Sequence, residues 1–310
     1  LPVPEPESTD FVSGFVSILG RPNAGKSTLL NKLVGMKLAI VAPKPQTTRT
    51  LVQGVLNLPG AQVVFADTPG IHKPDTLLNR RMLDTVKTAL DQRDLLLFVA
   101  DATRRIAEED REAVDLVRTA RTPTLLLVNK IDCLRDKSSL LALLDGYRSL
   151  HDFAEYLPVS ALRGTGLDTL RTEIVRRLPP GPAYFPPDYI TDQPERFLAA
   201  ELVREKILLL TREEVPHSVA VVVERWEELE RLARISVAVL VERESQKGII
   251  IGAKGAMLKR IGTDARRELE GLFGRKVFLE LFVKVRAKWR EDRAFLDAVD
   301  WRSGSAREVE

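Results

Sequence analysis

The sequence predicts an α/β domain built on a mostly parallel six-stranded sheet, followed by a smaller α+β domain. From Phe15 to about Pro179, short runs rich in β-branched residues alternate with helical stretches. Six prolines then fall between Pro179 and Pro194, where neither a helix nor a central strand can continue. The rest of the chain has the order helix, strand, strand, short helix, loop, helix, strand. Because 310 residues exceed what one hydrophobic core usually serves, two domains are expected.

These observations predict five segments along the chain. Residues 1–13 form a disordered N-terminal tail, because their opening is rich in Pro and Glu. The α/β domain follows over residues 14–178, and residues 179–196 form a Pro-rich linker. The α+β domain covers residues 197–295, and residues 296–310 form a C-terminal tail.

Six runs of the first domain are predicted strands, and several are apolar on both faces, as buried parallel strands are. They are FVSILG, LVQGVLNL, AQVVFADTPG, LLLFVAD, TLLLVNKID and YLPVSAL. The link between the second and third runs is too short for a crossover. These two strands are therefore expected to pair antiparallel as a hairpin.

Composition narrows the class of protein. The chain is 44% hydrophobic and 29% charged, as is ordinary for a soluble globular protein. It contains no apolar run long enough to span a bilayer and no signal-peptide pattern. Its single cysteine, Cys133, excludes an internal disulfide and is typical of a reducing cytosol. A cytoplasmic location is expected.

The stretch GRPNAGKS, Gly20 to Ser27, matches a phosphate-binding loop between a strand and a helix that should end at Gly35. Its glycines allow backbone N–H groups to surround a pyrophosphate at the positive end of the helix. Lys26 is expected to reach the β- and γ-phosphates, and the Ser27 hydroxyl to ligate Mg²⁺.

Three further motifs at strand ends predict GTP as the nucleotide. In DTPG, Asp67 is expected to hold Mg²⁺ through water, and the Gly70 N–H to face the γ-phosphate. In NKID, Asp132 can accept from N1–H and the 2-amino group of guanine, which adenine lacks. In SAL, a backbone N–H from Ser160 to Leu162 can meet guanine O6. The predicted GTP-binding residues are Gly20, Arg21, Pro22, Asn23, Ala24, Gly25, Lys26, Ser27, Thr28, Asp67, Thr68, Pro69, Gly70, Ile71, Asn129, Lys130, Asp132, Ser160, Ala161 and Leu162.

The stretch MKLAIVAPKPQTTRT, Met36 to Thr50, has no helix or strand period and is predicted to be a mobile switch segment. Thr48, with Thr47 as the alternative, is the expected second Mg²⁺ ligand when GTP is bound. The competing interpretation is that TTR is only a polar loop. The candidate catalytic residues are Lys26, Thr48, Asp67 and Gly70.

The position that carries a water-orienting Gln in GTPases of the Ras type is Ile71, which cannot align a water. A slow intrinsic hydrolysis is therefore expected, with the water placed by backbone, an ion or a partner. The neighbouring His72 is treated as a bystander. Asn23 could help to hold K⁺ where an arginine finger would otherwise lie.

The second glycine-rich stretch, GIIIGAKGAMLKRIG, predicts a different site. Its GAKG loop, Gly252 to Gly255, lacks a following serine and joins two helices, which is typical of a type II KH domain that binds single-stranded nucleic acid. Residues 243–293 contain 14 Lys/Arg and 7 Asp/Glu, a local net charge of +7. The alternative is that the glycines only turn the chain and the isoleucines are core. The predicted RNA contacts are Ile249, Ile250, Ile251, Gly252, Ala253, Lys254, Gly255, Lys259 and Arg260, with Lys284, Arg286, Lys288 and Arg290 on one side of a final extended segment.

A P-loop GTPase domain, a Pro-rich hinge and a C-terminal KH domain together resemble the Era family of bacterial ribosome-assembly GTPases. The stretches PKPQTTR, DTPGIHKP and LELFVKVRAKWRED add to this resemblance, which runs from about Gly14 to Asp292. It implies that the GTP-bound protein recognises the 3′ end of small-subunit ribosomal RNA and that hydrolysis releases it during maturation of the small ribosomal subunit. It also implies peripheral association with the inner face of the cell membrane, and Ile71 as the usual residue at its position. A monomer is expected.

Three functions are consistent with these patterns. The first is a GTPase switch whose nucleotide state controls RNA binding. The second is an RNA-binding assembly factor in which GTP is mostly a structural ligand. The third is a membrane-linked signalling GTPase.

Overall fold

The computed structural model describes residues 11–71, 73–136, 138–230 and 232–303, which divide into two compact units. Counting described residues only, the first unit contains residues 11–39, 48–71, 82–136 and 138–192. The second contains residues 40–47, 73–81, 193–230 and 232–303. Among the described residues, none of the helices combines the length and the apolar character needed to cross a bilayer.

The first unit is built on a six-stranded sheet with the order β2-β3-β1-β4-β5-β6. Strands β2 and β3 form an antiparallel hairpin, and the other neighbours pair in parallel, as predicted. The strands are β1 (Val12–Leu19), β2 (Val52–Leu58), β3 (Ala61–Asp67), β4 (Leu95–Asp101), β5 (Thr124–Asn129) and β6 (Glu155–Pro158).

Helices cover both faces of this sheet. They are α1 (Lys26–Val34), α2 (Leu77–Leu90), α3 (Glu108–Ala120), α4 (Ser138–Leu150) and α5 (Leu167–Val175). Along β4, Leu95, Leu97 and Val99 belong to one buried cluster, whereas Leu96 and Phe98 belong to another. Because neighbouring side chains of a strand point to opposite faces, the unit has an apolar core on each side of the sheet.

The predicted linker lies along the first unit up to Asp192. The Val55 N–H donates to the carbonyl of Ile190 at 2.7 Å, and the Thr191 hydroxyl donates to the carbonyl of Gln53 at 2.7 Å. Strand β2 is the outermost strand of the sheet, and the Val55 N–H and the Gln53 carbonyl lie on its free edge. The linker therefore covers this edge of the sheet.

The second unit contains the predicted elements in the predicted order, with two further short helices, α7 and α10, that the sequence did not predict. Strand β7 pairs antiparallel with β8, and β8 pairs in parallel with β9. Its elements are α6 (Glu195–Leu210), α7 (Val215–Ser218), β7 (Ala220–Leu229), β8 (Leu232–Val241), α8 (Glu244–Ile251), α9 (Ala256–Phe273), β9 (Lys276–Val285) and α10 (Arg293–Val299).

Two boundaries differ from those expected. Strand β1 begins at Val12, before the predicted end of the N-terminal tail at residue 13. Helix α10 crosses the predicted boundary between residues 295 and 296, because Phe295 and Leu296 are both buried. Residues 1–10 and 304–310 of the predicted tails lie outside the described residues.

Residues 40–47, from the predicted switch segment, belong to the second unit and have no helix or strand. Ile40 and Ala42 join the buried cluster formed around α6. At one end, the Val41 N–H donates to the Glu205 carboxylate at 2.7 Å. At the other, the buried Arg204 guanidinium donates to the carbonyls of Gln46 and Thr47. Helix α6 therefore holds both ends of this segment.

Candidate functional site

The first glycine loop runs between the end of β1 and the start of α1. The Lys26 ammonium is 6% exposed and donates to the carbonyls of Gly20 at 2.9 Å and Arg21 at 3.1 Å. Gly25 has a φ of 102°, and a Cβ there would lie 2.3 Å from Nδ2 of Asn129. Only glycine suits this position, because a side chain would strain the backbone and collide with Asn129.

Three oxygen-bearing side chains meet beside this loop. The Ser27 hydroxyl donates to Oδ2 of Asp67 at 2.6 Å and lies 2.8 Å from Oγ1 of Thr48. Asp67 is fully buried, and its Oδ1 has no hydrogen-bond partner among the described residues. The Thr47 hydroxyl instead donates to backbone carbonyls within its own loop, which makes Thr48 the better candidate. An unsatisfied buried carboxylate oxygen beside two hydroxyls is the hard oxygen set that Mg²⁺ prefers.

Burial perturbs the two charged groups of this cluster in opposite directions. Burial raises the pKa of Asp67 to about 6, against the opposing effects of Lys26 and of the hydroxyls of Ser27 and Thr48. Burial lowers the pKa of Lys26 to about 8, against the attraction of Asp67. A site that destabilises both charges is suited to ligands that carry compensating charges, such as a polyphosphate with its cation.

Asn129, at the end of β5, connects three loops. Its Nδ2 donates to the carbonyl of Ala24 at 2.9 Å, and its Oδ1 accepts from the Ala161 N–H at 2.9 Å. Asp132 follows in a short turn and is exposed, with one oxygen accepting from the Ser160 hydroxyl at 2.5 Å. That hydrogen bond is the main cause that holds the pKa of Asp132 below its ordinary value. An ionised carboxylate facing solvent at this position can accept the paired donors of guanine.

Lys130 takes a left-handed backbone conformation with a φ of 69°. Its ammonium donates to the carbonyl of Asn23 at 2.6 Å and to Oδ2 of Asp101 at 2.7 Å. The lysine therefore joins the NKID loop to the first glycine loop.

The sequence did not predict the buried network of polar side chains that lies next to these loops. Arg21 forms ion pairs with Asp110 at 3.2 Å and Asp101 at 3.7 Å, and the Tyr147 hydroxyl donates to Asp110 at 3.0 Å. Burial, followed by the charge of Asp110, raises the pKa of Tyr147, so its hydroxyl stays protonated and donates. Asp101 is the last residue of a buried strand, the same signal that identified Asp67.

The DTPG loop lies against the first glycine loop. A Cβ on Gly70 would lie 2.9 Å from Cγ of Pro22, so the two loops approach too closely for a side chain. Ile71 is 6% exposed and packs in the apolar cluster that contains Val86, consistent with its expected inability to align a water. His72 lies outside the described residues.

The remaining predicted nucleotide contacts lie on the same loops. These residues range from buried to exposed, and Leu162 is 68% exposed. They are Pro22, Ala24, Thr28, Thr68, Pro69 and Leu162.

The second glycine loop connects α8 to α9 through a short turn. Gly252 has a φ of 71°, and a Cβ there would lie 2.6 Å from Cβ of Met257, so glycine is required. Ala253, Lys254, Lys259 and Arg260 are exposed on the loop and on the first turns of α9. The loop therefore presents basic groups to solvent.

A groove of about 410 Å³ lies beside this loop. Its lining residues come from α9 and β9 and combine an apolar floor with basic and polar edges. They are Gly255, Leu258, Lys259, Gly262, Thr263, Arg266, Leu279 and Leu281.

The isoleucine triplet does not form this groove as predicted. Ile250 is completely buried in the core of the second unit, Ile251 is half-buried, and Ile249 is 46% exposed. Successive residues of a helix point about 100° apart, so three in a row cannot share one face. For Ile250, the alternative of a core residue was correct.

The last strand is shorter than the predicted extended segment, so Lys288 and Arg290 do not continue its basic side. Strand β9 ends at Val285, and residues 289–291 form a 3₁₀ turn because Trp289 is buried. Lys288 is exposed after the strand, with a φ of 54°. The other three basic residues form ion pairs, Lys284 with Glu224, Arg286 with Asp292 and Arg290 with Glu242.

Comparisons with known proteins agree with this architecture. Residues 15–130 match the family described as 50S ribosome-binding GTPase, and residues 214–290 match the KH domain. The chain is 52% identical over 288 residues to GTPase Era of Syntrophus aciditrophicus, covering 92% of this chain and 94% of that protein. It is 50% identical over 289 residues to GTPase Era of Geobacter metallireducens, covering 92% and 96%.

Two solved structures are similar over almost the whole chain. One is a variant of Aquifex aeolicus Era bound to GDP and aluminium fluoride, and the other is Era in complex with MgGDPNP and nucleotides 1506–1542 of 16S ribosomal RNA. Each has a TM-score of 0.90 at 43% identity and covers 94% of this chain and 99% of the other. With a P-loop GTPase domain, a KH domain and relatives of this identity over nine-tenths of its length, the chain belongs to the Era family of GTPases.

Proposed function

We propose that this GTPase is a GTP-driven switch that binds the 3′ end of small-subunit ribosomal RNA through its KH domain during assembly and rRNA maturation of the small ribosomal subunit. One observation carries the proposal. Residues 40–47, which lead directly into Thr48, belong to the same compact unit as the GAKG loop. The residue that senses the nucleotide is thus attached to a segment that the RNA-binding unit holds. The similar Era that contains both MgGDPNP and 16S ribosomal RNA supports the RNA partner.

In this proposal, the described residues divide the chemistry of hydrolysis. The first glycine loop and Lys26 bind the β- and γ-phosphates, and Asp132 with Asn129 and the SAL loop selects guanine. Ser27 and Thr48 would ligate Mg²⁺, and Asp67 would hold it through water. When bound, the cation neutralises charge that develops on the transferred phosphoryl group. The Gly70 N–H faces the γ-phosphate.

Single-turnover hydrolysis of GTP with and without RNA tests the switch. An RNA equivalent to nucleotides 1506–1542 of 16S ribosomal RNA is expected to raise the rate at least about fivefold, a typical lower limit for coupling between two sites. Arg204→Ala should reduce this stimulation while GDP affinity stays unchanged, because the variant releases the carbonyls that precede Thr48. Arg212→Ala, an exposed arginine beyond the end of α6, is the matched control.

The other functions considered give different results in the same assay. Tight RNA binding without stimulation of hydrolysis would favour an assembly factor in which GTP is a structural ligand. Absence of salt-sensitive RNA binding would contradict the proposal and favour a membrane-linked GTPase.

A monovalent cation is proposed to assist the slow intrinsic reaction at Asn23. Asn23 is exposed on the first glycine loop with a φ of 62°, which leaves its side chain free of the core on the loop that would bind the phosphates. GTP turnover in KCl is expected to exceed that in NaCl by about tenfold, since one preorganised charge near the developing negative charge is worth that much or more. Asn23→Gly, which keeps the backbone conformation without strain, should abolish the difference. Equal turnover in the two salts would exclude a role for K⁺.

The cytoplasmic location, monomeric state and peripheral membrane association expected from the sequence and its resemblance stay predictions. Sedimentation with vesicles of anionic lipid tests the membrane association, and light scattering tests the oligomeric state.

A further inference from the structure

A buried ionic network in the first unit centres on Asp101, the last residue of β4. Its Oδ2 accepts from the Lys130 ammonium at 2.7 Å and lies 3.7 Å from Nη2 of Arg21. Its Oδ1 accepts from both the backbone N–H and the hydroxyl of Thr103, at 2.9 and 2.6 Å. With 5% of its surface exposed, Asp101 is fixed from two sides.

Arg21 extends the network to a second carboxylate. Its Nη1 donates to Oδ2 of Asp110 at 3.2 Å, and Asp110 is 1% exposed on α3. Asp110 also accepts from the Tyr147 hydroxyl and from the Ala107 N–H, each at 3.0 Å. Arg21 therefore bridges two carboxylates whose own positions are set by other elements.

The network connects the two loops that enclose a nucleotide. Arg21 and Asn23 belong to the first glycine loop, and Lys130 belongs to the NKID loop that carries Asp132. Lys130 bonds to Asn23 and Asp101 at once, in a backbone conformation that non-glycine residues rarely adopt. Buried ion pairs often contribute little net stability, whereas their fixed geometry can specify one arrangement.

We propose that Asp101 and Arg21 are positioning residues that act through Lys130 to keep the phosphate loop and the guanine loop in register, and so slow the release of bound GDP or GTP. The inference deepens the proposed nucleotide site and depends on guanine lying at Asp132. Neither carboxylate nor guanidinium needs to touch the nucleotide. Without Asp101, the Lys130 ammonium keeps one acceptor, and the NKID loop gains freedom relative to the first glycine loop.

The test measures the dissociation rate of a fluorescent GDP analogue from the full chain. Asp101→Asn is expected to raise this rate about tenfold, the effect of losing one hydrogen bond between charged groups. The preference for GDP over ADP should stay unchanged, because Asp132 is intact. In a Lys130→Met background, Asp101→Asn should add no further increase. Asp115→Asn, which changes an exposed carboxylate of α3 paired with Arg118, is the matched control and should leave the rate unchanged.

The double variant separates positioning from general stability. A loss of stability alone would lower the melting temperature and leave the dissociation rate at 25 °C unchanged, which would overturn the proposal. An undiminished effect of Asp101→Asn in the Lys130→Met background would also overturn it. If Asp101→Asn does not fold, Arg21→Lys replaces it, because the shorter lysine lacks the planar fork by which two nitrogens of Arg21 reach Asp101 and Asp110 separately, and it should raise the rate similarly. A wild-type chain that does not bind GDP would instead contradict the proposed nucleotide site itself.

Discussion

Replacement of Asp132 by Asn is expected to shift the nucleotide preference from GTP towards XTP by about a thousandfold. The carboxylate of Asp132 faces solvent beside Ser160 and is ionised, which suits the two donors on the edge of guanine. An asparagine keeps an oxygen that can accept from the guanine N1–H but presents its N–H group to the 2-amino group, so that donor stays unpaired. Xanthine has a carbonyl where guanine has the amino group, and that carbonyl can accept from the amide. Sites built to hydrogen-bond a substrate group reject analogues that lack it by about 10⁴ or more.

Competition between GTP and XTP for a bound fluorescent GDP analogue measures this change. Asp136→Asn, an exposed carboxylate in the following loop, is the control and should keep the preference for GTP. The Ser160 hydroxyl can still donate to the asparagine oxygen, so the loop is expected to keep its structure. An unchanged affinity for GTP in Asp132→Asn would mean that guanine does not lie at this residue.

The nucleotide site could be predicted closely because each of its motifs is local. A strand, a glycine loop and a helix follow one another within about twenty residues, and the geometry at Gly20, Gly25 and Lys26 depends mainly on that order. The parallel sheet then brings the ends of separate strands to one edge, as open α/β sheets do. The sequence therefore predicts that Asp67 and Asn129 lie at the same edge of the sheet, even though it does not reveal their individual contacts.

Contacts between distant parts of the chain could not be predicted in this way. Arg21 and Asp110 are 89 residues apart, and Arg204 and Gln46 are 158 apart. In the sequence, no spacing or period distinguishes the residues of either pair from ordinary exposed polar residues. Arg204 in particular has the pattern of a solvated residue on a helix, yet it is 2% exposed. Besides Glu201 on its own helix, its distant partner is the backbone of a loop, which gives no side-chain signal in the sequence.

The RNA-binding half was predicted correctly in topology and less well in detail. Gly252 and Gly255 marked the loop, because positive φ angles there exclude most other residues. The errors arose where one sequence pattern was extended too far. The triplet predicts three equal groove residues, although a helix turns Ile250 by about 100° from each neighbour and into the core. The alternating basic residues predict that Lys288 and Arg290 continue the extended segment, although the burial of Trp289 ends it.

The largest effect on RNA is expected from reversing two charges at the second glycine loop. Lys254 is on the loop itself, Lys259 lines the groove, and both are exposed. No ion pair of either lysine is found within the described ranges, so neither charge is needed to hold the fold. The double variant Lys254→Glu with Lys259→Glu should weaken binding of the ribosomal RNA fragment about a hundredfold at moderate salt, since it replaces two attractions to phosphate by two repulsions.

Binding measured over a series of salt concentrations separates this electrostatic loss from a loss of structure. The slope of log affinity against log salt should decrease in magnitude by about 1.4 for the two lost contacts with single-stranded RNA. The matched control reverses Lys32 and Lys87, which are exposed on α1 and α2 and outside the KH domain. Affinity for GDP should be the same in all three proteins, because both changes spare the first glycine loop. RNA binding that persists with an unchanged slope would mean that the GAKG loop and its groove are not the RNA contact, and the chain would need another basic surface for that role.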